Sequence, residues 1–325
     1  MRGKVNFCVF KRPVTLFNRS LMIPRVSLSP QGPAFSRLVY GTWRFLDDPA
    51  TAHSDDLLKR LHACLDLGVT TLDTAEIYGL YRVEEFIGQT LKKEPGLREK
   101  FEIVTKSGIY VPCDFHPDRK VAHYNATAAR IVKSAEKSLR LLGTDYIDLL
   151  LVHRPDWLTS ADETAEGLNR LLKDGKIRSA GVSNYNVHQF ELLNSRMDQP
   201  LVTNQIEFSL LHMDPIYDGT ADQCQKLGIK PMAWSPLAKG ALMNPQDPAG
   251  ARLLKKAVEL SPKYGNATLD QLAYAWILAH PSQPLPIIGT NKLERLIATA
   301  QAADIRLERE DWYGLWEAAQ GHGVP

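Results

Sequence analysis

The chain has 325 residues, 44% of them hydrophobic and 23% charged, which excludes disordered, collagen-like and fibrous classes and suits one large α/β domain or two smaller ones. The formal charge of +2 conceals an asymmetry: residues 1–25 carry six basic side chains (Arg2, Lys4, Lys11, Arg12, Arg19, Arg25) and no acid, and the remaining 33 basic residues face 37 acidic ones, so the mildly acidic body has no electrostatic footprint for nucleic acid. No apolar run approaches the roughly 18–20 residues of a membrane span.

Residues 1–24 read as a loose basic leader ahead of a domain at 25–325. Their apolar residues form neither a signal-peptide core nor an amphipathic stripe, and Met22, just before the first strand, is an alternative start. Alternation over 25–29 and a Pro/Gly turn at 30–33 predict a small hairpin that plugs one end of the body. A buried strand follows at 38–42. The next helix starts with Ser54 as its cap, has Asp55 and Asp56 in its first turn, carries Cys64 on its apolar side and stops at Gly68.

From there strand and helix alternate. Strand 70–74 is followed by helix 83–92, and strand 102–106, after a long loop at 107–126, by helix 128–142 between Thr127 and Gly143. Strand 146–152 precedes helix 162–173, and strand 179–182 precedes a helix from the Asn186 cap to Arg196. Strand 201–206 leads to a helix near 217–227. Strand 231–234 leads to an extra helix at 250–260 and another at 269–280; strand 285–288 is followed by helix 293–302, and a last helix at 309–319 closes the chain. Eight strands of continuous apolar character, each followed by an amphipathic helix, imply an α/β fold of the (β/α)₈ TIM barrel type. A doubly wound sheet would show a glycine-rich phosphate fingerprint after its first strand, and none is present.

The stretch 70–79, TTLDTAEIYG, runs from a strand into a turn bearing Asp73 and Tyr78. In a barrel, Lys106 would end the next strand and His153 the one after. Neighbouring strands lie about 4.8 Å apart, so the four side chains can converge at the C-terminal mouth, where such barrels hold their chemistry. The set makes sense as a proton donor. A tyrosine starts near pKa ~10 and needs a cation beside it to favour phenolate; Lys106 can be that cation, Asp73 can hold the ammonium, and His153 can orient a carbonyl oxygen. Each also has a structural reading, Lys106 as an ion-pair partner of Asp73 and His153 as a core histidine. A third chemistry for a barrel lysine is Schiff-base formation.

The motifs LDTAEIYG (72–79), TKSG (105–108), LGTDYIDLLLVHRPD (142–156), GVSNY (181–185), TNQIEFS (203–209), AWSPLAKG (233–240) and IIGTNKLERL (287–296), in that order, make the chain resemble the aldo-keto reductases over nearly all of 38–300. The resemblance implies an NADPH-dependent reduction of an aldehyde or ketone to an alcohol, with Tyr78 as general acid and Asp73, Lys106 and His153 completing a tetrad. It implies that Ser183, Asn184 and Gln205 hold a nicotinamide carboxamide, with Gly41, Thr42 and Trp43 beside the cofactor. The cofactor's phosphates would lie over Ser235, Pro236, Leu237, Lys239 and Gly240 and over Gly289, Thr290 and Asn291, with Arg295 on a 2′-phosphate. Two positions depart from the family pattern: Trp234 stands where a stacking tyrosine is common, and Ala298-Thr299 replaces a Glu-Asn pair that touches adenine. A slow, cofactor-sensing regulatory subunit is the alternative within the same resemblance.

Substrate choice should lie in the loops. Trp43, the 107–126 loop with Tyr110, Phe115, His123 and Tyr124, and Trp157 would make an aromatic wall suited to an apolar or aryl carbonyl compound rather than a phosphorylated sugar. His116 and His123 lack a carboxylate or cysteine at ligand spacing, and Cys8, Cys64, Cys113 and Cys224 are scattered. The expectation is therefore no metal, reduced thiols, a cytoplasmic location and a monomer or weak homo-oligomer.

Overall fold

The protein is described by a computed structural model over residues 22–244 and 246–324. Most of the expected leader lies outside the described residues, but its last part is not loose: Ile23 is buried, and its N–H donates to Leu67 O at 2.8 Å.

Strands β1 (Arg25–Ser27) and β2 (Ala34–Ser36) form the expected hairpin. Strands β3 (Val39–Gly41), β4 (Thr71–Asp73) and β5 (Glu102–Ser107) belong to the barrel, whereas β6 (Ile109–Tyr110) and β7 (His123–Tyr124) pair with each other outside it. The barrel continues with β8 (Leu149–Val152), β9 (Ala180–Ser183), β10 (Asn204–Glu207), β11 (Met232–Trp234) and β12 (Leu285–Ile288). These eight strands close in the order β3-β4-β5-β8-β9-β10-β11-β12, every pair parallel. The fold is a (β/α)₈ barrel with an N-terminal hairpin, an extra helix Pro248–Leu260 after β11 and a C-terminal helix Arg309–Gln320.

The hairpin forms the barrel floor. Leu28 and Phe35, fully buried, pack with Val39, Val104, Leu149, Met232 and Leu285 from the strands. Above that apolar plug sits a polar layer, Asp73, Lys106 and Gln205, none more than 2% exposed. Three further apolar clusters lie between the strands and the surrounding helices, one of them holding Cys64.

Local differences from the sequence reading have local causes. The first long helix, Ser54–Asp66, takes Ser54 as its first residue and His53 as its cap, without a side-chain cap bond. Strand β8 starts at Leu149 rather than 146, because the chain just before it is held by side chains: Asp148 Oδ2 accepts from Ile103 N–H (2.9 Å) and Arg98 (2.8 Å), and Tyr146 O accepts from Arg98. The helix expected near 217–227 is two, Asp214–Tyr217 and Thr220–Leu227, divided at Gly219, whose φ of 83° breaks the helical run. The loop expected at 107–126 contains the β6–β7 ribbon. The Asn186 cap is present as a full capping box with Gln189.

One buried acid in the helix layer gives a test of stability. Glu84, on helix Val83–Leu91, is 1% exposed and accepts from Thr105 Oγ1 (2.6 Å) and Ser138 Oγ (3.0 Å). Burial pushes its carboxyl up from 4.5 to about 7, against these two bonds. Its folded pKa exceeds its unfolded one, so stability falls as pH rises from about 4.5 to 7 and the deficit is fully present above that window. At ~1.4 kcal/mol per unit the cost at pH 8 is about 3 kcal/mol. Glu84→Gln is expected to raise the melting temperature at pH 8 and to change it little at pH 4.5; an equal effect at both pH values would show that Glu84 is not the titrating group.

Candidate active site

Three strand ends build one cluster at the mouth. Lys106, on β5, is fully buried, and its ammonium spends its three hydrogens on Asp73 Oδ2 (2.8 Å), Thr74 O (2.7 Å) and the Tyr78 hydroxyl oxygen (3.0 Å). Tyr78 is brought there by a sharp turn after β4 in which Gly79, Leu80 and Tyr81 all have positive φ. Its ring meets Trp43 edge-on at 4.8 Å and His153 at 6.1 Å between centroids. Because the ammonium donates to the phenol oxygen, the phenol's own proton is left for another acceptor.

Asp73 is held from both sides. Its second carboxylate oxygen, Oδ1, accepts from Gln205 Nε2 at 2.7 Å, across the barrel from β10. Its backbone carbonyl accepts from both the N–H (2.9 Å) and the hydroxyl (3.0 Å) of Thr42. Gly41 beside it admits the close approach of β12: a Cβ there would stand 2.6 Å from Ile287 Cγ2.

The charges of the cluster follow from this geometry. Burial alone would strip the Lys106 proton, but Asp73 and the Tyr78 oxygen outweigh it and hold the ammonium above its usual range. A lysine so held is a poor nucleophile, which weighs against the Schiff-base reading. For Tyr78 the expected lowering is reversed: burial raises the phenol above 10, with Lys106 opposing and Asp73 adding to the rise. The group therefore stands as a neutral O–H at neutral pH. His153 is pushed well below 6.5 by burial and by the Lys106 and Arg154 cations, so its ring is neutral, and its buried Nδ1 has no protein partner.

Next to this cluster the ends of β9 to β11 form a second polar group. Ser183 Oγ donates to Gln205 O (2.9 Å) and accepts from Asn184 Nδ2 (2.8 Å), which also donates to His153 O (3.3 Å). Asn184 has a φ of 60°, and its Oδ1 accepts from the Trp234 indole N–H at 3.0 Å. The loop after β11 buries Pro236, tucks Leu237 against the core, and places Ser235, Ala238, Lys239 and Gly240 at positive φ, a tight turn of the kind found in anion-binding loops. The loop after β12 is drawn to the same edge: Asn291 Nδ2 donates to Arg44 O (2.6 Å), and Arg44 donates to Lys239 O (3.0 Å). A Cβ at Gly240 or Gly289 would meet nothing within 4 Å, Thr290 Oγ1 accepts from Lys292 N–H, and Arg295 is exposed at the start of helix Leu293–Gln301. Positive-φ backbone, open glycines and the cations Arg44, Lys239 and Arg295 fit the phosphates of a dinucleotide.

The expected aromatic wall is only partly assembled. Trp43 and Trp157 are 60% and 79% exposed, and Tyr124 packs on Trp157 at 5.8 Å. Tyr110 is not part of it: its ring is 2% exposed and its hydroxyl pairs with Ser134 Oγ at 2.9 Å on helix Ala128–Leu142. Among the described residues no cluster of His, Cys, Asp and Glu could hold a metal ion, and no helix is long and apolar enough to cross a membrane.

Residues 37–319 match the Aldo/keto reductase family. The chain belongs to that family. As an aldo/keto reductase it is an NAD(P)H-dependent oxidoreductase. It is 44% identical to oxidoreductase YdhF of Escherichia coli over 94% of this chain and 100% of the relative, and 43% identical to a 6-dehydroglucose reductase of Agrobacterium fabrum over 92% and 99%. The glycerol dehydrogenase of Gluconobacter oxydans superposes with a TM-score of 0.78 at 25% identity, covering 92% of this chain and 95% of that one. Within an aldo/keto reductase barrel, the Gln205–Asp73 bond and the Trp234–Asn184 bond are among the contacts that sequence reasoning missed. The Trp234 indole N–H adds a third side-chain bond to Asn184, beside those to Ser183 Oγ and His153 O. Thr299, at the other departure from the family pattern, is buried and spends its hydroxyl on Arg295 O at 2.8 Å.

Proposed function

We propose that this protein is an NADPH-dependent reductase of aldehydes and ketones in which Tyr78 gives the proton. The observation that carries the reading is the Lys106 ammonium, fixed by Asp73 and donating to the Tyr78 oxygen at 3.0 Å. When bound, the cofactor supplies the hydride. Neutral His153 offers a ring N–H to the substrate oxygen and holds it near the phenol. As Tyr78 releases its proton to the developing alkoxide, the ammonium stabilises the phenolate left behind.

Ser183, Asn184 and Gln205 would hold the nicotinamide carboxamide, Ser183 and Asn184 by exchanging the bond they now make to each other and Gln205 while its Nε2 stays on Asp73, with Trp234 as the stacking face. The loops at 235–240 and 289–291 would take the phosphates, and Arg295 the 2′-phosphate. Free Cys64, Cys113 and Cys224 suit a reducing compartment such as the cytoplasm. The name of the Agrobacterium relative adds a sugar carbonyl to the aryl compounds suggested by Trp43 and Trp157, since indole faces also stack on sugar C–H edges.

Single-turnover oxidation of bound NADPH, read at its absorbance band against aryl aldehydes and dicarbonyl sugars, tests the reading. Fast oxidation by at least one class is expected; slow turnover with every class would favour the regulatory alternative. Arg295→Gln is expected to raise the KM for NADPH roughly tenfold or more, the worth of a charge-assisted bond, and to leave NADH nearly unchanged. Equal losses with both cofactors would remove Arg295 from the 2′-phosphate.

A further inference from the structure

A second pocket of about 260 Å³ lies between helix Ala128–Leu142 and the 107–126 segment, and no member of the Asp73, Tyr78, Lys106 and His153 set lines it. Its walls hold five permanent cations, Arg119, Arg130, Lys133, Lys137 and Arg140, against two carboxylates, Glu76 and Asp118. Four of the cations follow one another at three- and four-residue spacing on one helix face, an arrangement in which like charges repel. The guanidinium groups of Arg119 and Arg130 each stand 4.8 Å from the centroid of the same ring, Tyr110. Among the described residues, the single ion pair made by these cations is Lys137 with Glu76 Oε1 at 3.7 Å.

A basic helix face alone would be a solvated surface. Glu76 distinguishes this one. It is 5% exposed, it lines the same pocket, and its Oε2 is buried without a hydrogen-bond partner. A buried carboxylate oxygen calls for a donor, and the surrounding cations call for an anion of more than one charge. Two arginine forks favour phosphate over a single carboxylate. The volume, at the small end for ligand sites, admits a compound of a few carbons.

We infer that this pocket binds a small phosphate ester bearing a free hydroxyl, with the phosphate on Arg119, Arg130 and Lys133 and the hydroxyl donating to Glu76 Oε2. An occupant would also brace the catalytic turn. Arg119 donates to the Tyr81 hydroxyl at 2.7 Å, Val111 N–H donates to the same oxygen at 3.0 Å, and Glu76 N–H donates to Lys106 O at 3.0 Å. Glu76 and Tyr81 flank Tyr78 in sequence, so the ligand would tie the 107–126 segment to the turn that carries the phenol.

The test is calorimetric titration of the full chain with glycerol 3-phosphate, inorganic phosphate and glycerol, with saturating NADP⁺ present so that the barrel mouth is not read. Saturable binding of glycerol 3-phosphate is expected, tighter than inorganic phosphate, with glycerol silent. Arg130→Gln and Lys133→Gln, made separately, should each weaken it severalfold, and together at least tenfold, without changing the melting temperature in the absence of ligand. Absence of saturation up to about 10 mM, the weakest range for a specific site, or undiminished binding by the double variant, overturns the site. Inorganic phosphate binding as tightly as glycerol 3-phosphate overturns the role of Glu76.

Discussion

Tyr78→Phe is expected to lower kcat by at least two orders of magnitude while leaving the NADPH dissociation constant within about threefold, since general acid catalysis contributes roughly 10²–10⁴. The substitution removes one oxygen and keeps the ring. Trp43 and His153 still find their aromatic partner, so the turn after β4 should keep its shape. What is lost is the hydroxyl that accepts from the Lys106 ammonium, and with it the proton that Tyr78 would give. Burial raises the phenol above 10, so wild-type reduction should stay flat through neutral pH and fall only as the pH approaches the alkaline range where Tyr78 ionises. Steady-state reduction of a carbonyl substrate and fluorescence titration of NADPH check both halves. A kcat close to wild type would remove Tyr78 from the chemistry.

Lys106→Met should be costly in a different way. The Lys106–Asp73 pair is buried at 0% and 3% side-chain exposure, and an ion pair of this kind offers little net stability over an apolar pair but a large penalty when one partner goes. With the ammonium deleted, the Asp73 carboxylate keeps only the Gln205 bond, and a loss of about 3–5 kcal/mol is expected together with loss of activity. Lys106→Met combined with Asp73→Asn should recover part of the stability and none of the activity. Chemical denaturation of wild type and both variants reads this out; a single variant as stable as wild type would mean that Asp73 is not desolvated.

Much of the barrel was legible because its signals are local. Continuous apolar runs mark strands buried on both faces, and Gly143 and the Asn186 capping box bound their helices. The convergence of Asp73, Tyr78 and Lys106 was legible too, since strand order in a barrel fixes which strand ends are neighbours. Contacts across the barrel were not. Gln205 reaches Asp73 from a strand 132 residues later, and nothing near either residue signals it. Tyr110 belongs to the segment expected to form a wall, but one residue of register in β6 decides whether its ring faces the mouth or Ser134. Likewise β8 is short because Asp148 takes the Ile103 N–H with its side chain, a choice invisible in the hydrophobic pattern.

The β6–β7 ribbon has a consequence for how this scaffold can change. Ile109–Tyr110 and His123–Tyr124 are zipped at the base of the excursion, so residues 111–122 leave and return through one fixed doorway. Lengthening or exchanging such an excursion alters closure entropy only slowly with length, and the strands beneath it need not move. A graft from another member, joined at 110 and 123, would keep the paired base of the excursion but would replace Val111 and Arg119, whose bonds to the Tyr81 hydroxyl couple this segment to the turn that carries Tyr78, so any exchange has to preserve those two donors.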